Sequence, residues 1–408
     1  MSQSSQRPPA DLLSGIRVLD LTNILSGPYA TYQMGLLGAE VIKVENPKDG
    51  DLARKLGASP VLNAQLMGTS FLAQNAGKLS VTVDLKHPEG KALFRDLVAS
   101  ADVLVENFRP GVMDRLGFSH EALRAANPGL IYCAISGFGQ NGPLAGNPAY
   151  DQIVQGMSGV MSITGDADTA PLRVGYPLCD TLGGMAAAFA VVSALVKRGR
   201  TGEGAFIDLS MLDATLSAMG WAVSNYLIAG VEARPIGNQN MTAAPSGAFR
   251  CADGPINIAA NKQEQFEKLC ELIGRPELAT DPRFAERETR KANRAAINAE
   301  LEQALAAKTA QEWESLFNAH GIPAGRIMTV PEILAHPQIA ARDLVQDIAM
   351  PEADFGGVRV VRAGFDLADS QPAARCPPPW LGQHNARIYG ELGRDQAALE
   401  RLRAGGAI

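Results

Sequence analysis

Six short β-rich runs alternate with segments of helical spacing in the first half of the chain. The runs lie at residues 16–21, 40–45, 80–85, 103–106, 130–135 and 205–210, and the helical segments at 29–37, 88–100, 119–126 and 181–197. Strands that alternate with helices of this length pair in parallel through βαβ crossovers. The sequence therefore predicts an α/β, doubly wound (Rossmann-like) large domain, whose ligand should lie outside the carboxyl ends of the strands.

The length of 408 residues and a change in the sequence pattern near residue 225, from alternating strands and helices to charged amphipathic helices, indicate a second domain. Beyond that point, charged amphipathic helices at 264–273 and 293–305 flank a Pro-containing stretch, and a β-rich segment follows at 343–365. We predict that residues 1–224 form the first part of the large domain, that residues 225–335 form a smaller α+β domain, and that residues 336–408 return to complete the large one.

Charge and cysteine usage argue against several classes of partner. The net charge is −6 and no basic stripe alternates with aromatic residues, so nucleic acid is not expected. The five cysteines are dispersed, without a CxxC pair or a companion histidine, which is typical of reduced thiols and predicts neither disulfides nor a metal site. Residues 1–11 are polar, and the apolar stretch at 185–196 is too short to span a bilayer. We therefore expect a cytoplasmic protein without a membrane partner.

One Gly-rich segment, residues 137–142, has GxGxxG spacing but is not expected to bind a dinucleotide. It follows a strand, yet Pro143 and Pro148 come next, so no helix opens there to direct its N-terminus at a pyrophosphate. The acidic residue that usually follows on the next strand is also missing. We interpret the segment as a turn-rich loop, which argues against a nicotinamide-dependent dehydrogenase.

Polar and basic residues collect just after the predicted strands. Asn107 and Phe108 follow one strand, where the Phe108 ring is suited to cover a flat base. Arg109 and Arg115, a little further on, are fixed charges suited to phosphate. Taken singly, each basic residue is most simply a solvated surface side chain, but their shared position favours a phosphorylated ligand. The other segments with this placement are the turn at 22–28, Arg54 and Lys86.

Asp180 stands directly before a segment of small residues with helical spacing. An Asp at that position is expected to cap the helix, whose dipole favours the ionised carboxylate. The same anion, beside Gly183 and Gly184, is also a suitable nucleophile for a thioester carbonyl. From the residues alone capping is the commoner role, and Cys179 is an alternative nucleophile that lacks a neighbouring histidine.

Ordered blocks along nearly the whole chain resemble the class III CoA-transferase family, which includes formyl-CoA transferase, carnitine CoA-transferase and α-methylacyl-CoA racemase. The blocks lie at residues 15–21, 38–45, 84–86, 106–118, 148–151, 201–204 and 381–384. The resemblance implies an enzyme, a CoA-transferase, in which Asp180 is both helix cap and catalytic nucleophile. It also implies an interlocked homodimer, with the active site between the large domain of one subunit and the small domain of the other.

The resemblance also implies that Tyr150 and Asp151 lie near the reacting thioester. For the mechanism, our own hypothesis is that the backbone N–H groups of Gly183 and Gly184, or the loop at 237–242, act as oxyanion donors. On the same hypothesis, the distal carboxylate of the acceptor binds at Asn238, Gln239 and Asn240. No permanently bound cofactor is expected, because coenzyme A and acyl-CoA are substrates. With Arg54 included for its place after a strand, the residues expected to bind CoA are Asn23, Ile24, Leu25, Ser26, Arg54, Val83, Lys86, Asn107, Phe108, Arg109, Arg115 and Leu116.

Two departures from the family narrow the reaction. The racemases have His where this chain has Tyr150, and a phenol is a poor base near neutral pH. Formyl-CoA transferase has Arg at the position of Asn46 and consecutive glycines at 237–242, which makes oxalate a less favoured acceptor. We expect CoA to pass from succinyl-CoA to a small dicarboxylate or analogue (itaconate, glutarate, malate or a sulfinopropionate type), through mixed anhydride and aspartyl-CoA thioester intermediates on Asp180. The alternatives are an acyl-CoA racemase and a non-catalytic CoA-binding protein.

Overall fold

The computed structural model describes residues 7–408, so the first six residues of the polar N-terminal segment lie outside it. Contacts divide the chain into two compact units. Unit 1 comprises the residues up to Val160, Val174–Val231 and Ala340–Ile408, and unit 2 comprises Met161–Arg173 and Glu232–Ile339. Residues 161–173, which we placed in the large domain, group with unit 2 instead, because bonds such as Gly237 N to Gly165 O (2.7 Å) tie them to it.

Within the described residues, unit 1 is built on a six-stranded sheet in which every neighbouring pair is parallel. The strands are β1 (Arg17–Asp20), β2 (Glu40–Glu45), β3 (Leu79–Thr82), β4 (Val103–Glu106), β5 (Ile131–Ser136) and β6 (Ala205–Ser210). Their order is β3-β2-β1-β4-β5-β6. This is a doubly wound order whose direction reverses between β1 and β4, so the predicted parallel sheet is confirmed.

Helices connect these strands, and two more follow the last of them. They are α1 (Ser26–Leu36), α2 (Pro60–Ala64), α3 (Thr69–Asn75), α4 (Pro88–Ala99), α5 (Val112–Leu116), α6 (His120–Ala126), α7 (Asp151–Met157), α8 (Leu178–Thr201), α9 (Met211–Ala218) and α10 (Trp221–Ala229), with a 3₁₀ turn at Leu52–Lys55. The proline at the first position of α4 stands where a helix tolerates one, since the N–H that proline lacks has no partner within the helix there.

Unit 2 is a small α+β assembly, and the chain then returns to unit 1. The elements of unit 2 are β7 (Ser246–Arg250), β8 (Pro255–Ala259) and β9 (Ala324–Arg326), with α11 (Gln263–Leu272), α12 (Arg287–Ala292), α13 (Arg294–Leu305), α14 (Ala310–Ala319) and α15 (Val330–Leu334). Its strands pair antiparallel in the order β7-β8-β9. After α16 (Pro337–Ala341), the returning segment forms the hairpin β10 (Val345–Ala349) and β11 (Gly357–Val361), then α17 (Asn385–Glu391) and α18 (Gln396–Ala404).

Both faces of the parallel sheet are buried, as near-continuous apolar strands predict. One face packs against α4, α17 and α18, for example through Leu104, Phe94 and Tyr389. The other packs against α1 and α8, for example through Val105 and Val191. The C-terminal helices therefore belong to the core of unit 1.

Helix α8 is longer than the apolar stretch that we read from the sequence. At 24 residues, with a mean hydropathy of 1.7 over its most apolar window, it is long and apolar enough to cross a membrane by length and composition. About a third of that window is buried, including Ala187 and Val191, which pack with Met34 of α1. The helix therefore contributes to the core of unit 1.

Candidate active site

Two adjoining cavities lie at the carboxyl ends of the strands in unit 1, beside the point where the strand order reverses. The first cavity, about 320 Å³, is lined by residues that include Ile24, Leu25, Tyr150 and Met211. The second cavity, also about 320 Å³, lies over β2 and β3 and is lined by residues that include Asn46, Val83, Lys86 and Leu116. Asn23 and Phe108 line both cavities. A ligand of a doubly wound sheet is expected in this location.

Most of the residues that the sequence assigned to CoA come together around these cavities. Those that line one or both are Asn23, Ile24, Leu25, Val83, Lys86, Asn107, Phe108, Arg109 and Leu116. Arg115 is exposed on α5 and lines neither cavity. Ser26 is buried at the start of α1, and its Oγ has no hydrogen-bond partner among the described residues.

Arg54 is a structural residue, and its expected contact with CoA is wrong. Its side chain is fully buried, with Nε 2.6 Å from Glu45 Oε2 and Nη2 2.8 Å from Glu45 Oε1. The guanidinium also donates to Pro379 O and lies 3.7 Å above the ring of Phe71. With its donors used inside the fold, Arg54 has no face to offer a phosphate.

Asn107 joins the two loops that meet where the strand order reverses. Its Oδ1 accepts from Asn23 N at 2.8 Å, and its Nδ2 donates to Asn23 O at 2.8 Å. The side-chain amide thus makes the pair of hydrogen bonds that a second backbone segment would make, and it links the loops after β1 and β4. Asn107 acts on the cavity wall through Asn23 as well as directly.

Asp180 does not cap α8, which corrects the sequence interpretation. The helix begins two residues earlier, at Leu178, and Pro177 at the cap position makes no side-chain bond. The carboxylate of Asp151 takes that place instead. Its Oδ1 accepts from Cys179 N at 2.8 Å and from Asp180 N at 3.4 Å. Asp151 therefore satisfies N–H groups that the first turn of a helix leaves without partners.

The position of Asp180 perturbs its ionisation. Burial, and secondarily the negative charge of Asp151, raise the pKa of the Asp180 carboxyl to about 7. Asp180 itself is not part of the cavity lining, but Tyr150, next to Asp151 in sequence, is 68% exposed and lines the first cavity. The Asp180 carboxyl is thus close enough to Asp151 for their charges to interact, and such perturbed groups concentrate at functional sites.

Gly183 and Gly184 are packing residues. A Cβ on Gly183 would lie 2.9 Å from Met211 Cγ, and one on Gly184 would lie 2.5 Å from Ser26 O, so only glycine lets α8 approach α1 and α9 this closely. Because α8 begins at Leu178, the N–H groups of both glycines lie beyond its first four and bond within the helix. Their expected role as oxyanion donors is therefore wrong for this helix.

Two other expectations concern Cys179 and the loop at 237–242. Cys179 is fully buried, and burial raises the pKa of its thiol, as in inert structural cysteines. The loop lies in unit 2 and runs back along β7, with Asn240 N donating to Ser246 O at 2.9 Å and Ala248 N to Asn238 O at 3.2 Å. Asn240 Oδ1 accepts from Thr242. An acceptor site at Asn238, Gln239 and Asn240 stays a prediction.

Comparison with known proteins identifies the family. Residues 13–385 match CoA-transferase family III. The chain belongs to that family. The acetyl-CoA:oxalate CoA-transferase of Acetobacter aceti is 41% identical over 401 residues, which cover 97% of this chain and 100% of the relative. A succinate–glutarate CoA-transferase of Agrobacterium fabrum is 39% identical and covers 95% and 96%. The crystal structure of a CAIB/BAIF family protein from Brucella suis matches with a TM-score of 0.82 at 37% identity, covering 95% of this chain and 100% of that one.

In this CoA-transferase, sequence reasoning missed three buried acids near the cavities: Glu45 and Asp51, which border the second cavity, and Glu106. Glu106 ends β4, and its Oε2 accepts from Phe108 N at 2.7 Å, which fixes the start of the loop that carries Asn107 and Phe108. Burial raises the pKa of Glu106 to about 8. The signal was available, because β1, β2 and β4 each end in an acid, Asp20, Glu45 and Glu106, at the edge of the sheet where a ligand is expected. Among residues 7–408, no group of three His, Cys, Asp or Glu side chains is arranged to hold a metal ion.

Proposed function

We propose that this CoA-transferase works through a covalent intermediate on Asp180. The observation that carries the proposal is the state of that carboxyl, which is partly buried in the first turn of α8 with a pKa of about 7. At neutral pH roughly half of it is ionised. Poor solvation leaves the anion a stronger nucleophile than a surface carboxylate, and the positive end of the helix dipole favours it.

In the first half of the reaction, an Asp180 oxygen attacks the thioester carbonyl of the donor acyl-CoA. The C–S bond breaks, which leaves a mixed anhydride and CoA thiolate. The thiolate then attacks the Asp180 carbonyl of the anhydride, and the C–O bond to the donor acid breaks. The donor leaves as a carboxylate, and Asp180 becomes a CoA thioester.

The second half runs the same steps in reverse with another acid. The acceptor carboxylate attacks the aspartyl thioester and expels CoA thiolate, which forms a second anhydride. The thiolate attacks the acceptor carbonyl, releasing the new acyl-CoA and the free Asp180 carboxylate. No electrons are exchanged overall, and the thioester energy is kept as long as the intermediates are closed off from water.

The two cavities suggest how CoA lies on unit 1. We place the thioester end in the first cavity, because Tyr150 lines it and the adjoining Asp151 contacts the Asp180 amide. We place the phosphorylated end toward the second cavity, where Lys86 lies after β3. Phe108 lines both cavities, and we place its ring against the part of CoA that runs from one cavity to the other. We propose succinyl-CoA as donor and a small dicarboxylate such as glutarate as acceptor, in line with the Agrobacterium relative; the Acetobacter relative keeps oxalate in the test.

We further propose that the enzyme is an interlocked homodimer in the cytoplasm. Unit 1 exposes large apolar side chains that a monomer would leave in water, including Phe189 (77% exposed) on α8 and Trp221 (71%) and Ile228 (86%) on α10. Exposed apolar surface of this kind usually marks an interface. Light scattering should give twice the chain mass of 43.1 kDa, and a monomer at all concentrations would contradict the proposal.

The decisive experiment follows the protein's mass during turnover. After incubation with succinyl-CoA, digestion and mass spectrometry should show an increment on the peptide that contains Asp180, which hydroxylamine converts to a hydroxamate. Asp180→Ala should show no adduct and no transfer while CoA affinity is retained. A screen of glutarate, itaconate, malate and oxalate as acceptors then identifies the acid. Full transfer by Asp180→Ala, or exchange of the α-proton with solvent in place of transfer, would refute the mechanism.

A further inference from the structure

Ile24, in the loop between β1 and α1, has a left-handed backbone with φ of +69°. For a β-branched residue this region is a steric outlier, because the side chain is forced toward the backbone carbonyl. Such strain persists only where the surrounding structure enforces it, and it concentrates at ligand sites. Ile24 lines the first cavity. The groups that enforce its conformation therefore act on the site.

One buried ion pair is bonded to the loop on both sides of Asn23. Asp51 Oδ1 accepts hydrogen bonds from Ile24 N at 2.9 Å and from Ala53 N at 2.8 Å. Asp51 Oδ2 lies 2.9 Å from Lys43 Nζ. Lys43 Nζ in turn donates to Thr22 O at 2.8 Å. The carbonyl before Asn23 and the amide after it are thus both held by the same pair of charges.

The pair is buried beside the site. Lys43 is 0% exposed and lines neither cavity. Asp51 borders the second cavity but is only 1% exposed, and its two oxygens are engaged by Ile24 N and Lys43 Nζ, so both residues act through the loop. In such surroundings charge-assisted hydrogen bonds are strong, and removing one partner leaves an uncompensated charge. Asp20, which lies 3.9 Å from Lys43 Nζ and 2.9 Å from Lys78 Nζ, extends the network beneath the loop.

We propose that Asp51 and Lys43 are positioning residues that hold Ile24 in its left-handed conformation and thereby shape the wall of the CoA site. The inference rests on the proposed function only in naming CoA as the ligand of the cavity. A loop with no such constraint would relax Ile24 to negative φ and move the Asn23 backbone that lines both cavities.

The strain itself is tested by melting temperatures. Ile24→Gly and Ile24→Ala both remove the side chain but differ in their tolerance of positive φ. We expect the glycine variant to melt at a higher temperature than the alanine variant. In an Asp51→Asn background that difference should shrink, because the loop no longer needs to be left-handed. Equal melting temperatures of the two single variants, or a difference that Asp51→Asn leaves unchanged, would overturn the proposal.

The consequence for the site is tested by CoA binding and kinetics. Asp51→Asn keeps the size of the side chain but opposes an amide to Lys43, and we expect the KM for succinyl-CoA to rise about 10- to 100-fold with a smaller change in kcat. The Kd for free CoA should rise in parallel. Asp49→Asn is the matched control, since Asp49 lies two residues before Asp51 in the loop after β2, is exposed, and pairs with Lys55 at 2.5 Å. It should bind CoA like the wild type.

The outcomes separate this proposal from the covalent mechanism. If the wild type forms no Asp180 adduct but Asp51→Asn still weakens CoA binding, the chemistry fails and the positioning role stands. Unchanged CoA affinity in a folded Asp51→Asn variant overturns the positioning role whatever the chemistry. Should Asp51→Asn fail to fold, the comparison of Ile24→Gly with Ile24→Ala in the unaltered chain decides.

Discussion

Asp180→Asn should stabilise the protein at alkaline pH while it abolishes transfer. In the folded chain burial and the charge of Asp151 raise the pKa of Asp180 from its ordinary 3.8 to about 7. Below pH 3.8 the carboxyl is protonated in both the folded and the unfolded chain, so its ionisation does not lower the free energy of unfolding. As pH rises toward 7 the unfolded chain releases the proton while the folded chain keeps it, so stability falls.

The size of the effect follows from these two pKa values. Holding the ionisable group in the fold lowers the free energy of unfolding by about 2 kcal/mol at pH 5 and by about 4 kcal/mol at pH 8. Asparagine has the same shape and does not titrate, so the advantage of the variant over the wild type should grow by about 2 to 3 kcal/mol between those pH values. With an unfolding entropy of about 2.1 cal/mol/K per residue over 408 residues, this corresponds to about 3 °C in melting temperature.

Calorimetric scans of both proteins at pH 5 and pH 8 measure this difference directly. Asp213→Asn is the control, because Asp213 is also the third residue of its helix, α9, but is exposed. Its effect on melting temperature should be nearly the same at both pH values. If the Asp180→Asn difference were also independent of pH, the carboxyl would not be held in a poorly solvated environment. The argument for its nucleophilicity would then fall with it.

Two other substitutions test the charge beside Asp180 and the buried ion pair of Arg54 with Glu45. Asp151→Asn removes the nearby negative charge, so the pKa of Asp180 should fall and the acid limb of the pH profile of kcat/KM should move to lower pH. The shift should be less than half of the total rise in the Asp180 pKa, because burial is the larger cause of that rise. An unmoved limb would mean that Asp151 has no electrostatic effect on Asp180. Arg54→Met leaves Glu45 uncompensated and should cost about 3–5 kcal/mol of stability, seen as a lower melting temperature, whereas Lys55→Met, at an exposed ion pair, should cost little. A normal melting temperature with weakened CoA binding would restore Arg54 as a ligand.

The parallel sheet was predictable because its signals are local. The strands β1 to β5 are short, largely apolar runs that are buried on both faces, and each crossover carries helical spacing, so the alternation alone indicates the βαβ topology. The predicted strand bounds agree with β2, β4 and β6 to the residue. The same reasoning pointed to the edge of the sheet where the two cavities lie, since ligands bind at the carboxyl ends of such strands. Asn107 and Phe108 were recognised by that placement.

What the sequence could not reveal depends on contacts between distant segments. Asp180 resembled a helix cap because it precedes a run of small residues, but Asp151, 29 residues earlier, caps the helix and lets it begin at Leu178. Arg54 resembled a phosphate ligand because it follows a strand. Its burial against Glu45 and the ring of Phe71 depends on tertiary packing that no local pattern records.

Three residues, which we call the anchors, support the proposed site in the same way: a polar side chain makes a hydrogen bond to the backbone of another segment. Asn107 holds Asn23, Asp51 holds Ile24, and Asp151 holds the first turn of α8 that carries Asp180. Each fixes backbone rather than side chain, so the geometry survives changes in the residues that touch the ligand. Such an arrangement separates the support around Asp180 from the residues that contact the acceptor. Substitutions at the anchors should therefore impair every acyl-CoA donor alike, whereas substitutions at residues that contact the acceptor should change the ranking of acids.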